Sequence, residues 1–482
     1  MVQRSNTVKK RNDGKDIFFV LTMVCLFGLS SSLRATGGLG QNTTALFSQI
    51  DRGQEKHLAF LLELIRTSEK GEEAVQEKVA EKFRGLGCAV EVLKIRPSDL
   101  RLKNEFAAAQ PSGMEERTSV VGSLKGSGNG RSILIFAHPD GDPLPKGPWR
   151  YAPFAGVTVD DRIFGWGADD DLAGVAIMAE AVEALQASGF RLQGDIYLCS
   201  TPAKRNAQGV IALLSKGYHA DAALYLHPAE SGAGMREIKA IASGMLTFQV
   251  AVTGKQPETN EPGKTAFAHL GVNAMDKTLV IINALRELDA ERGRRVKHKA
   301  LEAAVGRSSN ILISHIRAGE ANQLNRVPVS CLIGVSLTFP PNEKLAEVQK
   351  EVTDAIFAAA KKDSWLDEHP PQVDWLFGTQ GVEVSEDHPL YRTVSRSVRT
   401  ITGENPYVNP LHSASDIRNP ILFSNIPCVG LGPLAGALDK TGFSDRWVEI
   451  KDYIRAIKVT ALSILEWGKT SSLSGPSEQR LF

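Results

Sequence analysis

The sequence has few cysteines, no excess of charge of either sign, and no repeat. Its 482 residues include 5 cysteines, which stand singly without a Cys-x-x-Cys pair. This pattern argues against a disulfide framework and predicts buried free thiols. The formal net charge is +1, so the electrostatics give no reason to expect a nucleic-acid partner. The mean hydropathy is slightly negative, which excludes a polytopic membrane protein.

The N-terminus differs from the rest of the chain. Basic residues from Arg4 to Lys15 precede an apolar run over residues 17–29, which is typical of a secretory signal or an uncleaved signal-anchor. The run is long enough to cross a membrane only if it extends to residue 33. We therefore expect a secreted protein, or one that is anchored through residues 17–33 and faces the exterior or periplasm, rather than a cytoplasmic one. A disordered tail with an apolar patch is the alternative.

The body of the chain has enough apolar sequence for a large core. Hydrophobic residues make up 42% of the sequence, and a chain of this length should form two domains. After a Gly/Ser/Thr-rich linker over residues 34–50, apolar segments of strand length alternate with helical patterns up to about residue 230. This alternation predicts a three-layer α/β domain with a mostly parallel sheet.

A different pattern begins near residue 245. Two helical segments, 272–288 and 343–360, separate four strand-like segments in the order β-α-β-β-α-β, which predicts a ferredoxin-like α+β domain inserted into the larger one. The first pattern then returns from residue 389. The predicted divisions are a signal or anchor with a linker (1–50), the first part of the α/β domain (51–243), the inserted domain (244–380), the second part of the α/β domain (381–470) and a tail (471–482).

Residues that can carry chemistry follow the predicted strands. The apolar run 133–137 is followed by His138, with Asp140 two positions later. Residues i and i+2 of an extended chain share a face, so the Asp140 carboxylate can hold one ring nitrogen of His138 while the other faces a metal. Three consecutive acids at 169–171 need a cation or a helix N-terminus nearby. His227 also directly follows an apolar run, at the strand end where α/β domains bind ligands.

Seven segments, taken in order along the chain, are AHPDGDP, GWGADDDLAG, GYHADAALYLHP, AHLGVNA, NRVP, FPPNE and SASD. Together they resemble the M20 family of metallopeptidases, which includes carboxypeptidases, dipeptidases, aminoacylases and acetylornithine deacetylases. The resemblance extends over roughly residues 55–467. It implies a zinc-peptidase-like α/β domain, an inserted domain that serves as a lid or dimerisation domain, and hydrolysis of amide bonds.

The resemblance also implies roles for individual residues. His138 would ligate a metal, Asp140 would orient His138, and Asp170 would bridge two metals. His227 stands where the family has a Glu ligand, and an imidazole is also a competent zinc ligand. His269, in the AHLGVNA segment, would contact the substrate or the transition state. The implied cofactor is zinc, as one or two divalent ions.

Other positions depart from the family pattern. Where the family has a Glu-Glu pair, one a general base and the other a ligand, this chain has Ala203 and Lys204. A further His ligand is missing near Gly442, and Thr338 replaces the lid Arg that holds a substrate carboxylate. A two-metal site with the usual base is therefore not supported, and tight binding of a free C-terminal carboxylate is not expected. His412 is a candidate replacement for the missing His.

The remaining ligands can be arranged in more than one way. If the family's division holds, His138 and Asp170 belong to one metal, and Asp170 and His227 belong to the other. A single ion held by all three is the alternative, because three ligands and an open position are the pattern of a hydrolytic zinc site. In a metal-free protein, the histidines would be hydrogen-bonded residues at strand ends. Lys204 could then neutralise Asp170 by a salt bridge.

We therefore expect a divergent M20-like metallohydrolase that cleaves an amide bond in a small peptide or an N-acyl amino acid. The alternative is a catalytically inactive binding or scaffolding protein of the same fold, since function depends on the site and not on the fold. The resemblance also implies that the helix predicted at 272–288 could pair two chains into a homodimer through the inserted domain, as in many members of the family; the sequence leaves the oligomeric state open.

Overall fold

The structure is a computed structural model that contains two main sheets, each with its own hydrophobic core. The signal or anchor segment predicted at residues 17–33 lies outside the part of the chain that is described. No helix within that part is long and apolar enough to cross a bilayer. The described residues are 41–96, 100, 105–107, 116–139, 144, 146–202, 209–229, 231–412, 415–436 and 444–470.

The first part of the chain alternates helices with strands. Its helices are α1 (Gln41–Arg52), α2 (Gln54–Thr67), α3 (Glu72–Gly85), α4 (Ala173–Ala187) and α5 (Gly209–Ser215). Its strands are β1 (Ala89–Ile95), β2 (Glu105–Ala107), β3 (Arg117–Leu124), β4 (Ile133–Ala137), β5 (Val157–Val159), β6 (Arg162–Phe164), β7 (Ile196–Ser200), β8 (Ala223–Leu226), β9 (Glu237–Ile238) and β10 (Ile241–Ala242).

The rest of the chain forms the second main sheet and then returns to the first. The middle elements are β11 (Gly244–Thr253), α6 (Ala274–Arg295), α7 (Lys299–Val305), β12 (Asn310–Ala318), β13 (Ser330–Phe339), α8 (Leu345–Ala360), α9 (Ser364–Glu368) and β14 (Gln372–Thr379). The last elements are β15 (Val382–Glu383), α10 (Pro389–Thr402), β16 (Tyr407–Val408), α11 (Arg418–Ser424), β17 (Cys428–Leu431), β18 (Ala435–Gly436), β19 (Trp447–Glu449) and α12 (Ile450–Gly468).

The first sheet has six strands in the order β1-β3-β7-β4-β8-β17. The pairs β7–β4, β4–β8 and β8–β17 are parallel, whereas β1–β3 and β3–β7 are antiparallel. The sheet is therefore mostly parallel, as predicted. Strand β4 is buried along its whole length, and α4, which packs against it, is buried on nearly every side. Cover on both faces explains why these segments are continuously apolar.

The second sheet is antiparallel and forms the predicted β-α-β-β-α-β unit. Four strands lie in the order β12-β13-β11-β14, and helices α6 and α8 pack against them over a separate apolar core. Burial alternates residue by residue along β11, because one face of the sheet covers this core and the other does not. Strand β2, from the first part of the chain, extends the same sheet beside β14.

The prediction that residues 34–50 form a linker is wrong for residues 41–50. They belong to α1, in which Leu46 and Ile50 are fully buried and which packs against α4 and α12. The polar composition of this segment concealed a helix, because an amphipathic helix needs apolar residues on one face only.

The cysteines agree with their prediction where the structure describes them. Cys88, Cys199, Cys331 and Cys428 are buried free thiols. Cys88, Cys199 and Cys428 belong to the core beneath the first sheet, where they act as small apolar side chains.

A cluster of charged side chains is buried between α2, α3 and α4. Glu180 on α4 is fully buried; one of its carboxylate oxygens contacts His57 Nδ1 and the other lies 2.6 Å from Lys82 Nζ. Lys82 also lies 2.8 Å from Glu183. Charges in a protein interior are tolerated when they are paired, so His57 and Lys82 both depend on Glu180.

Glu180→Ala should lower the free energy of unfolding by about 3–5 kcal/mol, because it removes the buried counter-charge of Lys82. Urea denaturation followed by circular dichroism measures this loss. The matched control is Glu183→Ala on the same helix. Glu183 is 25% exposed and pairs with Lys82 and the exposed Lys56, so its loss should cost about 1 kcal/mol or less. Equal losses for the two variants would show that burial does not set the cost.

Candidate metal centre

Two histidines lie side by side at the carboxyl ends of neighbouring strands. Strands β4 and β8 are parallel, with Phe136 opposite Tyr225. His138 and His227, two residues further on, therefore emerge together at the edge where α/β sheets bind ligands. Their ring centroids are 5.8 Å apart, and the two residues are 2% and 4% exposed. The two apolar runs in the sequence indicate this placement once the strands are known to be neighbours.

Asp170 reaches both histidines from the turn before α4. Residues Ala168–Leu172 form a short π-helical turn in which Asp170 and Asp171 have non-helical dihedral angles. Oδ1 of Asp170 lies 3.2 Å from Nε2 of His138 and 3.1 Å from Nε2 of His227. The structure thus brings the three residues proposed as ligands together, with their donor atoms within 4.8 Å of one another.

The three consecutive acids have three different environments. Asp171 is fully buried and accepts hydrogen bonds from the backbone N–H groups of Gly174 and His138, both at 3.3 Å. It therefore joins the start of α4 to the end of β4. Asp169 pairs with Arg446 at 3.2 Å; burial raises the pKa of Asp169 to about 7, against the opposing charge of Arg446. Asp170 is the acid that lies within 3.2 Å of both histidines.

A hydrogen bond at Nδ1 of His227 shows which ring nitrogen carries a hydrogen. Nδ1 lies 3.1 Å from the carbonyl oxygen of Pro228, and a carbonyl can only accept, so Nδ1 carries a hydrogen. In the neutral ring Nε2 is then an acceptor, yet it faces another acceptor, Oδ1 of Asp170, at 3.1 Å. Two acceptors at this distance need a cation between them. The cation is either a metal ion or the proton that makes the ring an imidazolium.

The donor set and its spacing fit a divalent metal ion. Imidazole nitrogen and carboxylate oxygen bind zinc at about 2.0–2.2 Å, which places the ligand atoms of a tetrahedral ion about 3.3–3.5 Å apart. The observed separations from Asp170, 3.1 and 3.2 Å, are close to this range. Burial acts to raise the pKa of Asp170, but the hydrogen bonds and charge of the two histidines outweigh it and hold the pKa well below its usual range. Asp170 is therefore a carboxylate.

The geometry favours one ion over two. The divided arrangement would assign His138 and His227 to different metals, but both rings approach the same oxygen of Asp170. Three ligands on one ion leave a fourth position for water or substrate. Several positions named in the sequence analysis lie outside the described residues. They are Asp140, which was predicted to orient His138, Ala203 and Lys204, including the alternative salt bridge from Lys204 to Asp170, and Gly442.

Two other candidates lie elsewhere. His412 is buried, but its Nε2 is 3.0 Å from Oε1 of Glu237, and it is not part of the group formed by the three proposed ligands. Nε2 of His412 is therefore paired with a carboxylate, and His412 does not replace the missing His ligand within this group. His269 is exposed, in the short 3₁₀ helix Thr265–Leu270 before α6, and its contact with substrate stays a prediction.

The sequence analysis did not identify two charged residues that lie near the site, Lys239 and Arg446. Lys239 is 1% exposed, and its Nζ lies 3.0 Å from the carbonyl oxygen of His227 and 2.7 Å from that of Pro228. An isolated lysine in the apolar segment IKAIA was the available signal. Arg446 gave no signal, because its partner Asp169 is 277 residues away in the sequence.

Known proteins resemble this chain over most of its length. The N-formyl-4-amino-5-aminomethyl-2-methylpyrimidine deformylase of Bacillus subtilis (strain 168) is 22% identical over 438 residues, which are 86% of this chain and 96% of the relative. The aminopeptidase PepT of Bacillus cereus ATCC 10987 has a TM-score of 0.63 at 17% identity, over 86% of this chain and 99% of that one. The YXEP protein of Bacillus subtilis, a dinuclear metal-binding peptidase from the M20 family, has a TM-score of 0.54 at 14% identity, over 86% of this chain and 99% of that one.

The structural matches show that the predicted fold class is correct. The sequence model of peptidase family M20/M25/M40 matches residues 134–466, which is more than half of the chain and includes His138, Asp170 and His227. The chain therefore belongs to peptidase family M20/M25/M40.

Proposed function

We propose that this chain hydrolyses an amide bond in a small substrate and that it uses one zinc ion held by His138, Asp170 and His227. The observation that carries the proposal is one carboxylate oxygen within 3.2 Å of two imidazole nitrogens. The reaction class is supported by membership of a peptidase family and by a relative that is named as a deformylase.

The chain's own residues would bind and orient the ion. When bound, a divalent ion polarises a carbonyl group and lowers the pKa of a water molecule. Asp170 contributes one negative charge and the two neutral histidines contribute none, so the loaded centre would keep a net positive charge that attracts a carbonyl oxygen. The hydrogen bond from His227 Nδ1 to the Pro228 carbonyl fixes the ring orientation, as a hydrogen bond to the free nitrogen of a metal-bound imidazole commonly does.

The substrate is proposed from the relatives and from the inserted domain. The names of the deformylase and of the peptidases that the chain resembles both imply amide bonds. Thr338, on β13, stands where the family resemblance implies an Arg, and a hydroxyl offers no paired donors and no charge to a carboxylate. We therefore propose that a small N-acyl amine is a better substrate than an N-acyl amino acid or a peptide held by its C-terminal carboxylate.

Purified protein supplied with zinc should bind one ion per chain, and Asp170→Asn should weaken binding by more than about 100-fold, because loss of an outer partner alone costs 10–100-fold. Competition with a chromophoric chelator and elemental analysis measure affinity and stoichiometry. Asp195→Asn is the control, because Asp195 pairs with the exposed Lys125 at 2.7 Å and should leave zinc binding unchanged. Wild-type protein that binds no zinc would support the non-catalytic binding protein instead.

Zinc-loaded protein should release amine from small formamides, and Asp170→Asn should lower kcat/KM by about 10³-fold, because metal polarisation supplies several kcal/mol. A fluorogenic assay for free amines measures the rates. Thr338→Arg should improve kcat/KM for N-formyl amino acids relative to uncharged formamides, since it supplies a bidentate cation. If wild-type protein already prefers the N-formyl amino acid, the proposed substrate class is wrong.

We also propose a homodimer through the inserted domain. Among the described strands β12 is an edge strand, and its Leu312 and Ile316 are 61% and 56% exposed. Helix α6, which packs beside β12, exposes Met275 and Leu279 one turn apart, at 42% and 52%. An edge strand with exposed apolar side chains is a ready surface for pairing with a second copy.

Leu312→Asp combined with Ile316→Asp should convert the dimer into a monomer, because the charges would be buried without partners at the interface. Size-exclusion chromatography with light scattering measures the mass. The control is Leu324→Asp; Leu324 is 89% exposed and lies outside both β12 and α6, so this change should leave the dimer intact. Wild-type protein that is monomeric at micromolar concentration would rule the interface out.

A further inference from the structure

A buried lysine lies directly behind the His227 ligand. Lys239 sits between β9 and β10 and is 1% exposed. Its Nζ lies 3.0 Å from the carbonyl oxygen of His227, 2.7 Å from that of Pro228 and 3.3 Å from Oε1 of Glu237. An ammonium group has three donors; here the two carbonyl oxygens accept hydrogen bonds, and the Glu237 carboxylate supplies the counter-charge. A charge buried in this way is costly unless it is paired and hydrogen-bonded.

The backbone fixes the position of Lys239. Its N–H and C=O groups exchange hydrogen bonds of 2.8 Å with Gly430 of β17, a strand that also pairs with β8 in front of His227. The amide of His227 in turn donates to Leu431 of β17. Lys239 and His227 are therefore held by the same strand, and the lysine side chain spans the short distance between them.

One carbonyl oxygen connects the lysine to the histidine ring. The oxygen of Pro228 accepts a hydrogen bond from Lys239 Nζ at 2.7 Å and another from His227 Nδ1 at 3.1 Å. A carbonyl oxygen has two lone pairs, so both bonds can form together. The ammonium group holds this oxygen where the ring can donate to it. This donation leaves Nε2 of His227 directed at Asp170, 3.1 Å away.

Glu237 compensates the charge of Lys239. The carboxylate is fully buried; Oε1 accepts from His412 Nε2 at 3.0 Å, and Oε2 accepts from the backbone of Ser231 at 3.0 Å and from Asn409 Nδ2 at 3.3 Å. Burial acts to raise the pKa of Glu237, but the hydrogen bond from His412 and the charge of Lys239 outweigh it and hold the pKa well below its usual range. The Lys239–Glu237 pair is thus neutral as a unit and adds no net charge behind the metal centre.

We infer that Lys239 is a positioning residue: through the Pro228 carbonyl it holds His227 in the Nδ1–H tautomer and so presents Nε2 to a cation. This inference rests on the proposed function only in its second half, the presentation to a metal. By the geometry, Nδ1 of His227 carries its hydrogen whether a metal ion or a proton lies at Nε2, so this first half can be measured without any metal or substrate.

The test compares Lys239→Met with wild type, because methionine fills a similar volume without charge or donors. The double variant Lys239→Met/Glu237→Gln is measured in parallel, since it avoids leaving the Glu237 carboxylate buried without its cation. Lys82→Met is the matched control. It removes another ammonium group from a buried carboxylate, that of Glu180, and is expected to affect stability alone.

Two measurements are made on each variant. Nitrogen-15 NMR of the imidazole rings in metal-free protein detects the Nδ1–H group of His227 and its hydrogen bond to Pro228, and the same spectrum of zinc-loaded protein reports the tautomer. Competition with a chromophoric chelator gives the zinc Kd. We expect the two Lys239 variants to lose the pure Nδ1–H signature and to bind zinc about 10–100-fold more weakly, and Lys82→Met to stay within about 2-fold of wild type.

The inference fails if folded Lys239 variants keep the wild-type tautomer, or if they lose it while their zinc Kd stays within 2-fold of wild type. A weaker zinc Kd in Lys82→Met of the same size would also overturn it, because the effect would then follow from lost stability. If wild-type protein binds no zinc, the proposed function fails, and the NMR comparison of metal-free proteins still decides whether Lys239 holds the Nδ1–H group of His227 on Pro228.

Discussion

The contact of one carboxylate oxygen with two imidazole nitrogens sets the conditions for the whole site. Oδ1 of Asp170 faces Nε2 of His138 and Nε2 of His227 at 3.2 and 3.1 Å. Both histidines are buried, so bulk water does not screen the contact. Because the second nitrogen of His227 is tied to a carbonyl oxygen, lone pairs would face each other unless a cation lies between them. The surrounding structure is arranged so that this group stays in place.

Strand pairing and backbone hydrogen bonds hold the three proposed ligands in this arrangement. Parallel pairing of β4 and β8 brings the two histidines to the same edge, and Asp171 ties the start of α4 to the end of β4. Neighbouring charges are compensated in pairs, Asp169 by Arg446 and Glu237 by Lys239. The three proposed ligands, one carboxylate and two neutral imidazoles, would together contribute one formal negative charge to a bound dication.

The sequence departs from the family pattern at positions that a two-metal centre would use. One solved relative is described as a dinuclear metal-binding peptidase, whereas this sequence has Ala203, Lys204 and Gly442 where the family resemblance implies ligands or a base. Among the described residues, the donor atoms of His138, Asp170 and His227 lie within 4.8 Å of one another. A single ion with three ligands and an open position is still a competent hydrolytic arrangement. The fold therefore leaves the number of ions to the site residues, because the chemistry belongs to the residues and not to the architecture.

The sequence alone determined the fold class and the β-α-β-β-α-β unit, because burial patterns are local signals. It also proposed His138 and His227 from their positions at strand ends and Asp170 from the family resemblance, and the structure places these three side chains together. The sequence analysis misassigned residues 41–50, where a one-sided apolar face is hidden in polar composition. Tertiary structure decided that both histidines share one carboxylate oxygen, that His412 pairs with Glu237, and that Lys239 and Arg446 support the site. These facts depend on strand order and on contacts between distant segments. Asp169 and Arg446, for example, are 277 residues apart in the chain but 3.2 Å apart in space, and local sequence patterns carry no information about such a contact.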